Sequence, residues 1–200
     1  MKKVLLSTLF ITLSLTPITA FGQGYRNDVT ESLTTGAGRW GEWSDIVFCP
    51  SGSYAGGYDM RVESPKGGGD DTALNAISLY CYYPNGGFAG RIIAHKGNWG
   101  NWGAAVACNG SLLTSFRIKM EPWQRNGDDT AANSVSFICT NRNGYYPLEA
   151  SNGGQWGNWL GWINPTQFSA ICGFQAKVEP PQGSGDDTAL NDLKFYYCRL

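Results

Sequence analysis

Histidine occurs once in this 200-residue chain, and charged residues of all kinds make up only 16% of it. A serine–histidine–acid triad could be built only on His95, which no motif marks as a base, and a zinc site would have to do with almost no imidazole. The cysteines are too widely spaced for a metal pattern, so no metal or cofactor is expected and His95 reads as an ordinary surface residue. Fifteen basic residues against 16 acidic ones leave a formal charge of −1. That offers no electrostatic footprint for nucleic acid or an anionic membrane. No phosphate-binding glycine loop is present. After the first 22 residues no apolar run is long enough to span a bilayer, which argues against membrane insertion. No window holds a helical period either, because glycine or proline interrupts nearly every candidate.

What is present begins with a leader. Met1-Lys2-Lys3 is a short basic start, Val4 to Leu15 is nearly unbroken apolar sequence, and Ala20 and Gly22 suit cleavage. Residues 1–22 are therefore expected to be a signal peptide, and residues 23–200 a single secreted domain. Twenty-seven glycines and many aromatics suit a turn-rich all-β protein. The six cysteines, Cys49, Cys81, Cys108, Cys139, Cys172 and Cys198, favour disulfides in an oxidising compartment. Six allow 15 connectivities, and two per repeat favours bridges within repeats.

The repeat is the strongest pattern. GDDTAxN occurs at Gly69–Asn75, Gly127–Asn133 and Gly185–Asn191, with Asp70, Asp128 and Asp186 spaced 58 residues apart. One supersecondary unit is thus present three times, roughly over 38–81, 96–139 and 154–198. Ahead of each GDDTAxN lies an alternating strand whose inward residues are Tyr58, Met60 and Val62, then Phe116, Ile118 and Met120, then Phe174, Ala176 and Val178. After it comes a second strand with Ile77 and Leu79, Val135 and Phe137, and Leu193 and Phe195 inward. Earlier in each unit stands Trp40-Gly41-Glu42-Trp43, Trp99-Gly100-Asn101-Trp102 or Trp156-Gly157-Asn158-Trp159. Each unit reads as a small antiparallel sheet, and three such sheets can bury their inner faces only around a common axis.

The tripled combination of WGxW, cysteine, an alternating strand ending in Val-Glu or Met-Glu, GDDTAxN and a second cysteine resembles the vitelline membrane outer layer protein I family. The resemblance covers essentially the whole chain after the leader. It implies an all-β fold, a β-prism of three Greek-key antiparallel sheets, and a role in an extracellular coat or matrix with glycans or coat proteins as partners. A lysozyme-like transferase activity on N-acetylglucosamine oligosaccharides is also associated with that family. The third repeat departs from the pattern: Trp162-Ile163-Asn164-Pro165 carries no cysteine where the other repeats do, and Cys172 and Cys198 are displaced together. The resemblance implies that these two form an additional bridge while the ordinary bridge of that repeat is missing.

Several residues carry competing readings. Asp70, Asp71, Asp128, Asp129, Asp186 and Asp187, with Asn75, Asn133 and Asn191, could shape turns through side-chain to backbone hydrogen bonds, contact a ligand, or supply acid and base. Threefold repetition favours the turn. Glu63, Glu121 and Glu179 are expected as surface partners of Arg61, Lys119 and Lys177 rather than catalytic acids. Repetition likewise favours packing for the six WGxW tryptophans, leaving Trp123 and Trp162 as candidate glycan contacts. Asn109-Gly110-Ser111 fits a glycosylation sequon. The reading that follows is a secreted, possible glycan-associating coat protein with no catalytic residue assigned. Its alternatives are a carbohydrate-active enzyme or a lectin.

Overall fold

The computed structural model describes residues 26–65, 73–97, 99–122, 132–179 and 190–200. The leader, the six aspartates of the GDDT motifs (Asp70, Asp71, Asp128, Asp129, Asp186, Asp187) and Trp123 lie outside the described residues. The described elements are all strands. In chain order they are β1 (Val29–Thr34), β2 (Glu42–Trp43), β3 (Val47–Phe48), β4 (Tyr54–Val62) and β5 (Leu74–Tyr82). They continue as β6 (Phe88–Ile92), β7 (Asn101–Trp102), β8 (Val106–Ala107), β9 (Leu112–Met120) and β10 (Ala132–Asn141). The last four are β11 (Gly144–Glu149), β12 (Asn158–Trp159), β13 (Ser169–Val178) and β14 (Leu190–Arg199).

Three antiparallel sheets result. The first runs β6-β5-β4-β7 with β8 also on β4, the second β11-β10-β9-β12, and the third β1-β14-β13-β2 with β3 also on β13. In the first two, a hairpin-connected trio is followed by a strand that returns beside its first member, the Greek-key order. The third reaches the same order by joining the two ends of the chain, because β1 pairs with β14 from Val29 opposite Cys198 to Thr34 opposite Lys194.

A sheet is therefore not coextensive with a sequence repeat, as the repeat reading supposed. Each WGxW strand crosses to the sheet of the preceding unit. Trp43 pairs with Lys177, Trp102 with Arg61 and Trp159 with Lys119. The glycine between the tryptophans makes the crossing possible. Gly41, Gly100 and Gly157 all have positive φ (85°, 76° and 78°), where a side chain is strained. A Cβ there would also overlap the backbone carbonyl of Val178, Val62 or Met120. Each crossing strand thus ties one sequence unit to the sheet of another.

Inside, the alternating residues meet at the axis. Tyr58, Met60, Ile77, Leu79, Phe116, Ile118, Val135, Phe137, Phe174, Ala176, Leu193 and Phe195 are all buried. Their rings interlock across sheets: Tyr58 lies 4.7 Å from Phe137, and Phe195 lies 4.6 Å from Phe116 and 5.3 Å from Phe137. The two pairs with Phe137 are edge-on and the Phe116–Phe195 pair is tilted, and edge-on contact at these separations is a favoured aromatic geometry. The Tyr58 hydroxyl donates to the Val135 carbonyl at 2.9 Å and accepts from the Ala150 amide at 2.7 Å. Burial pushes its pKa well above the ordinary tyrosine value.

The three corners differ. Cys49, just past β3 on the edge of the third sheet, is bonded to Cys81 on β5 of the first. Cys108, just past β8 on the edge of the first sheet, is bonded to Cys139 on β10 of the second. At the corner between second and third sheets, Ile163 makes the bridge to Phe116 that Val47 makes to Phe174 and Val106 to Tyr58. Two residues beyond it stands Pro165 instead of a cysteine, and Tyr197 fills the place opposite. Cys49 and Cys108 also donate their amides, to Cys172 and Gly56, a bond proline has no N–H to make. The remaining bridge, Cys172–Cys198, joins neighbouring strands β13 and β14 within the third sheet.

Candidate functional site

At the disulfide-bonded end of the prism, away from the WGxW crossings, lies a groove of about 830 Å³. Its lining comes from the strand ends just past the cysteines and from the loop of the unbridged corner. Tyr82 and Tyr83 follow Cys81, Thr140 to Arg142 follow Cys139, and Asn164, Pro165, Gln167 and Phe168 follow Ile163. Local hydrogen bonds fix the rim. The Asn141 amide donates to the Ser111 hydroxyl at 2.7 Å, the Ser111 amide donates to the Cys108 carbonyl at 3.1 Å, and the Thr114 and Thr140 hydroxyls pair at 2.8 Å. Phe168 is 80% exposed, Tyr83 is also exposed, and both belong to the lining. Among the described residues, no aspartate or glutamate side chain lines the groove. The site thus offers flat aromatic faces, amides and hydroxyls, and no paired carboxyls for acid–base cleavage.

Of the expected site residues that are not cysteines, Asn109 lies on the groove and the other described ones fall elsewhere. Asn109 is exposed in the left-handed turn before β9 (φ 44°) and sits on the groove's lining. Asn75, Asn133 and Asn191 are buried at the opposite end. Gly97, Gly154 and Gly38 pass so close over them that a Cβ on any of these glycines would overlap the asparagine below. Trp162 lies 4.6 Å beneath the Arg117 guanidinium, which also stacks at 4.3 Å on Trp159 and pairs with Glu149 at 3.5 Å. It is therefore engaged by a cation on the outer face of the second sheet.

The WGxW tryptophans divide in a way repetition did not suggest. The second of each pair is half-buried under a cation: Trp43 under Lys194, Trp102 under Arg91, Trp159 under Arg117. The first of each pair is not core: Trp40, Trp99 and Trp156 are 53%, 49% and 52% exposed. The packing expected for all six holds for half of them.

The charged residues are also placed differently from expectation. Arg61 donates to the Gly97 and Gly100 carbonyls, Lys119 to those of Gly154 and Gln155, and Lys177 to those of Gly38 and Arg39. Each basic side chain thus ties down the loop leading into a WGxW crossing. Glu63 is buried rather than a surface group. Asp59, also buried, accepts from Ser78, from Tyr80 at 2.9 Å and from Arg91 at 2.9 Å. Burial and that bond raise the Tyr80 pKa. Asp192 accepts from Thr34, Thr35 and the Gly36 amide, anchoring the end of β1. His95 is half-buried, which lowers its pKa. No group of three histidine, cysteine or acidic side chains able to hold a metal occurs among the described residues.

The groove residues Tyr83, Arg142 and Phe168 were missed because each occurs once, outside the repeat. The usable signal was a set of aromatics that no inward alternation accounted for.

The model of one family, vitelline membrane outer layer protein I, matches residues 30–200. The chain belongs to that family. It is 38% identical to a mouse (Mus musculus) vitelline membrane outer layer protein 1 homolog over 167 residues, 82% of this chain and 81% of the relative. It is 37% identical to the human (Homo sapiens) homolog over 195 residues, 96% and 94% of the two chains. Among solved structures, a mannose-binding lectin from champedak superposes with a TM-score of 0.51 at 14% identity, covering 84% of this chain and 98% of the lectin. A mannose-specific jacalin-related lectin from Morus nigra, in complex with mannose, gives 0.51 at 15% identity over 88% and 99%. At such identities the likeness is one of fold, the β-prism.

Proposed function

We propose that this chain is a secreted β-prism protein of an extracellular coat or matrix that associates with glycans through the groove at its disulfide-bonded end. Residues 1–22 would be removed as the leader and residues 23–200 would form the one domain. The observation that carries the reading is the groove's lining: aromatic faces that can cover the apolar side of a sugar ring, beside amides and hydroxyls that can meet its hydroxyl groups. That no Asp or Glu side chain lines the groove among the described residues favours binding over turnover. Three disulfides and the leader sequence support an oxidising, extracellular setting. Membership of a family named for an egg-coat layer supports the coat role, and lectins that bind mannose on the same fold support glycans as ligands.

Ligand-observed NMR tests this with chito- and manno-oligosaccharides over a day. Sugar signals should broaden and stay chemically unchanged, and Phe168→Ala with Tyr83→Ala should weaken binding roughly tenfold, the scale for losing aromatic anchors. New anomeric signals would make the protein an enzyme and overturn the binding reading. No effect on any sugar would overturn the glycan half and leave proteins as the coat partners.

A further inference from the structure

We infer that the groove prefers a sugar carrying a carboxylate, held by Arg142; this rests on reading the groove as the glycan site. Arg142 is the one formally charged side chain on the described lining. Arg26 is committed to Asp28 and the Ser53 carbonyl, Arg91 to Asp59, Arg117 to Glu149 and Arg61 to loop carbonyls, while Arg39 and Arg199 do not line the groove. Arg142 has no such partner among the described residues. Its backbone is nevertheless fixed. It occupies the β10–β11 turn, where the Asn143 amide donates to Asn141 Oδ1 at 2.8 Å and the Asn141 amide reaches across to Ser111. A positioned backbone carrying an uncommitted guanidinium at the rim, with no Asp or Glu side chain on the described lining and no ion pair to the terminal carboxylate of Leu200, is complementary to a carboxylate. The planar fork matches two carboxylate oxygens at once. Tyr83 and Phe168 would cover the ring, and Asn164 and Gln167 supply amides for its hydroxyls.

The experiment titrates the intact, oxidised protein with a uronic-acid tetrasaccharide and with the same tetrasaccharide after carboxyl reduction. The acidic form should bind at least about tenfold more tightly, the scale of one charge-assisted pair, with the preference shrinking in high salt. Arg142→Gln should erase the preference, bringing the acidic sugar's affinity down to that of its carboxyl-reduced form. Arg142→Lys should keep only part of it, since a point charge cannot make the fork. Equal binding of both sugars, still weakened by Phe168→Ala, would overturn the charge preference and leave the groove reading intact. Binding of neither sugar would overturn both.

Discussion

Two corners of this prism are closed by covalent bonds and the third is not. Where the third sheet meets the first, and the first meets the second, a cysteine just past a two-residue edge strand is bonded to one on the neighbouring sheet. Where the second meets the third, Pro165 and Tyr197 stand in those places, and closure depends on the Phe116–Ile163 bridge and on Glu31. That carboxylate, on β1 beside Tyr197, accepts from the Thr166 amide at 2.9 Å and its hydroxyl at 3.0 Å. At the corresponding place in the first–second corner, the Tyr146 hydroxyl donates to the Cys108 carbonyl at 2.6 Å in addition to the disulfide. The lesson is that a threefold repeat need not give three equal joints. The chain ends meet in the third sheet, and the joint beside them is the one left to non-covalent contacts.

The largest expected effect is on the bonded corners. Replacing Cys108 and Cys139 together by alanine should lower unfolding free energy by roughly 3–4 kcal/mol, the chain-entropy value for a loop of this length, read from denaturant midpoints. The Cys172/Cys198 pair should cost about as much by that same argument, yet leave corner protection unchanged because it joins adjacent strands of one sheet. If removing it loosened the corners equally, the distinction between bridges across corners and a bridge within a sheet would fail.

Adding the missing joint sharpens the contrast. In a Pro165→Cys, Tyr197→Cys double variant, the oxidised protein should exceed its own reduced form in stability by about 3 kcal/mol. That comparison cancels the cavity left by the tyrosine. Failure of the two thiols to join would refute the correspondence of the three corners.

Two tyrosines test the corner chemistry on a smaller scale. Tyr197 is buried and its hydroxyl has no hydrogen-bond partner among the described residues, burial raising its pKa well above the usual range. Tyr197→Phe should therefore change stability by less than about 0.5 kcal/mol or improve it, since no bond is lost. Tyr58→Phe, which strands the buried Ala150 amide, should cost roughly 1–3 kcal/mol. Equal losses would mean that Tyr197 holds the open corner by a bond after all. Between these two, Glu31→Ala should cost on the order of 0.5–1 kcal/mol as a surface contact, with faster hydrogen exchange confined to the second–third corner.

Much of this architecture was legible in the sequence. The 58-residue spacing and the inward series led by Tyr58, Phe116 and Phe174 pointed to three equivalent sheets about an axis, because period-two alternation reports burial directly. The crossing of Trp43, Trp102 and Trp159 to the preceding sheet was not legible. A two-residue strand carries no register of its own, and only the fold shows that Gly41, Gly100 and Gly157 must admit a neighbouring carbonyl. The site was the least legible part. Repetition drew weight towards Trp123 and Trp162 and away from Trp40, Trp99 and Trp156. The groove is assembled from Tyr83, Arg142 and Phe168, which come from three separate loops and share no spacing.

Native-state hydrogen exchange on the oxidised protein tests the central claim most directly. The amides of Phe116 and Ile163, which exchange bonds with each other's carbonyls at 3.1 and 2.8 Å, should be at least roughly tenfold less protected than those at the matching Val47–Phe174 and Val106–Tyr58 pairs, because local opening follows the weakest joint. Equal or greater protection at Phe116 and Ile163 would contradict the account and show that this corner needs no covalent bond to be as tightly closed as the others.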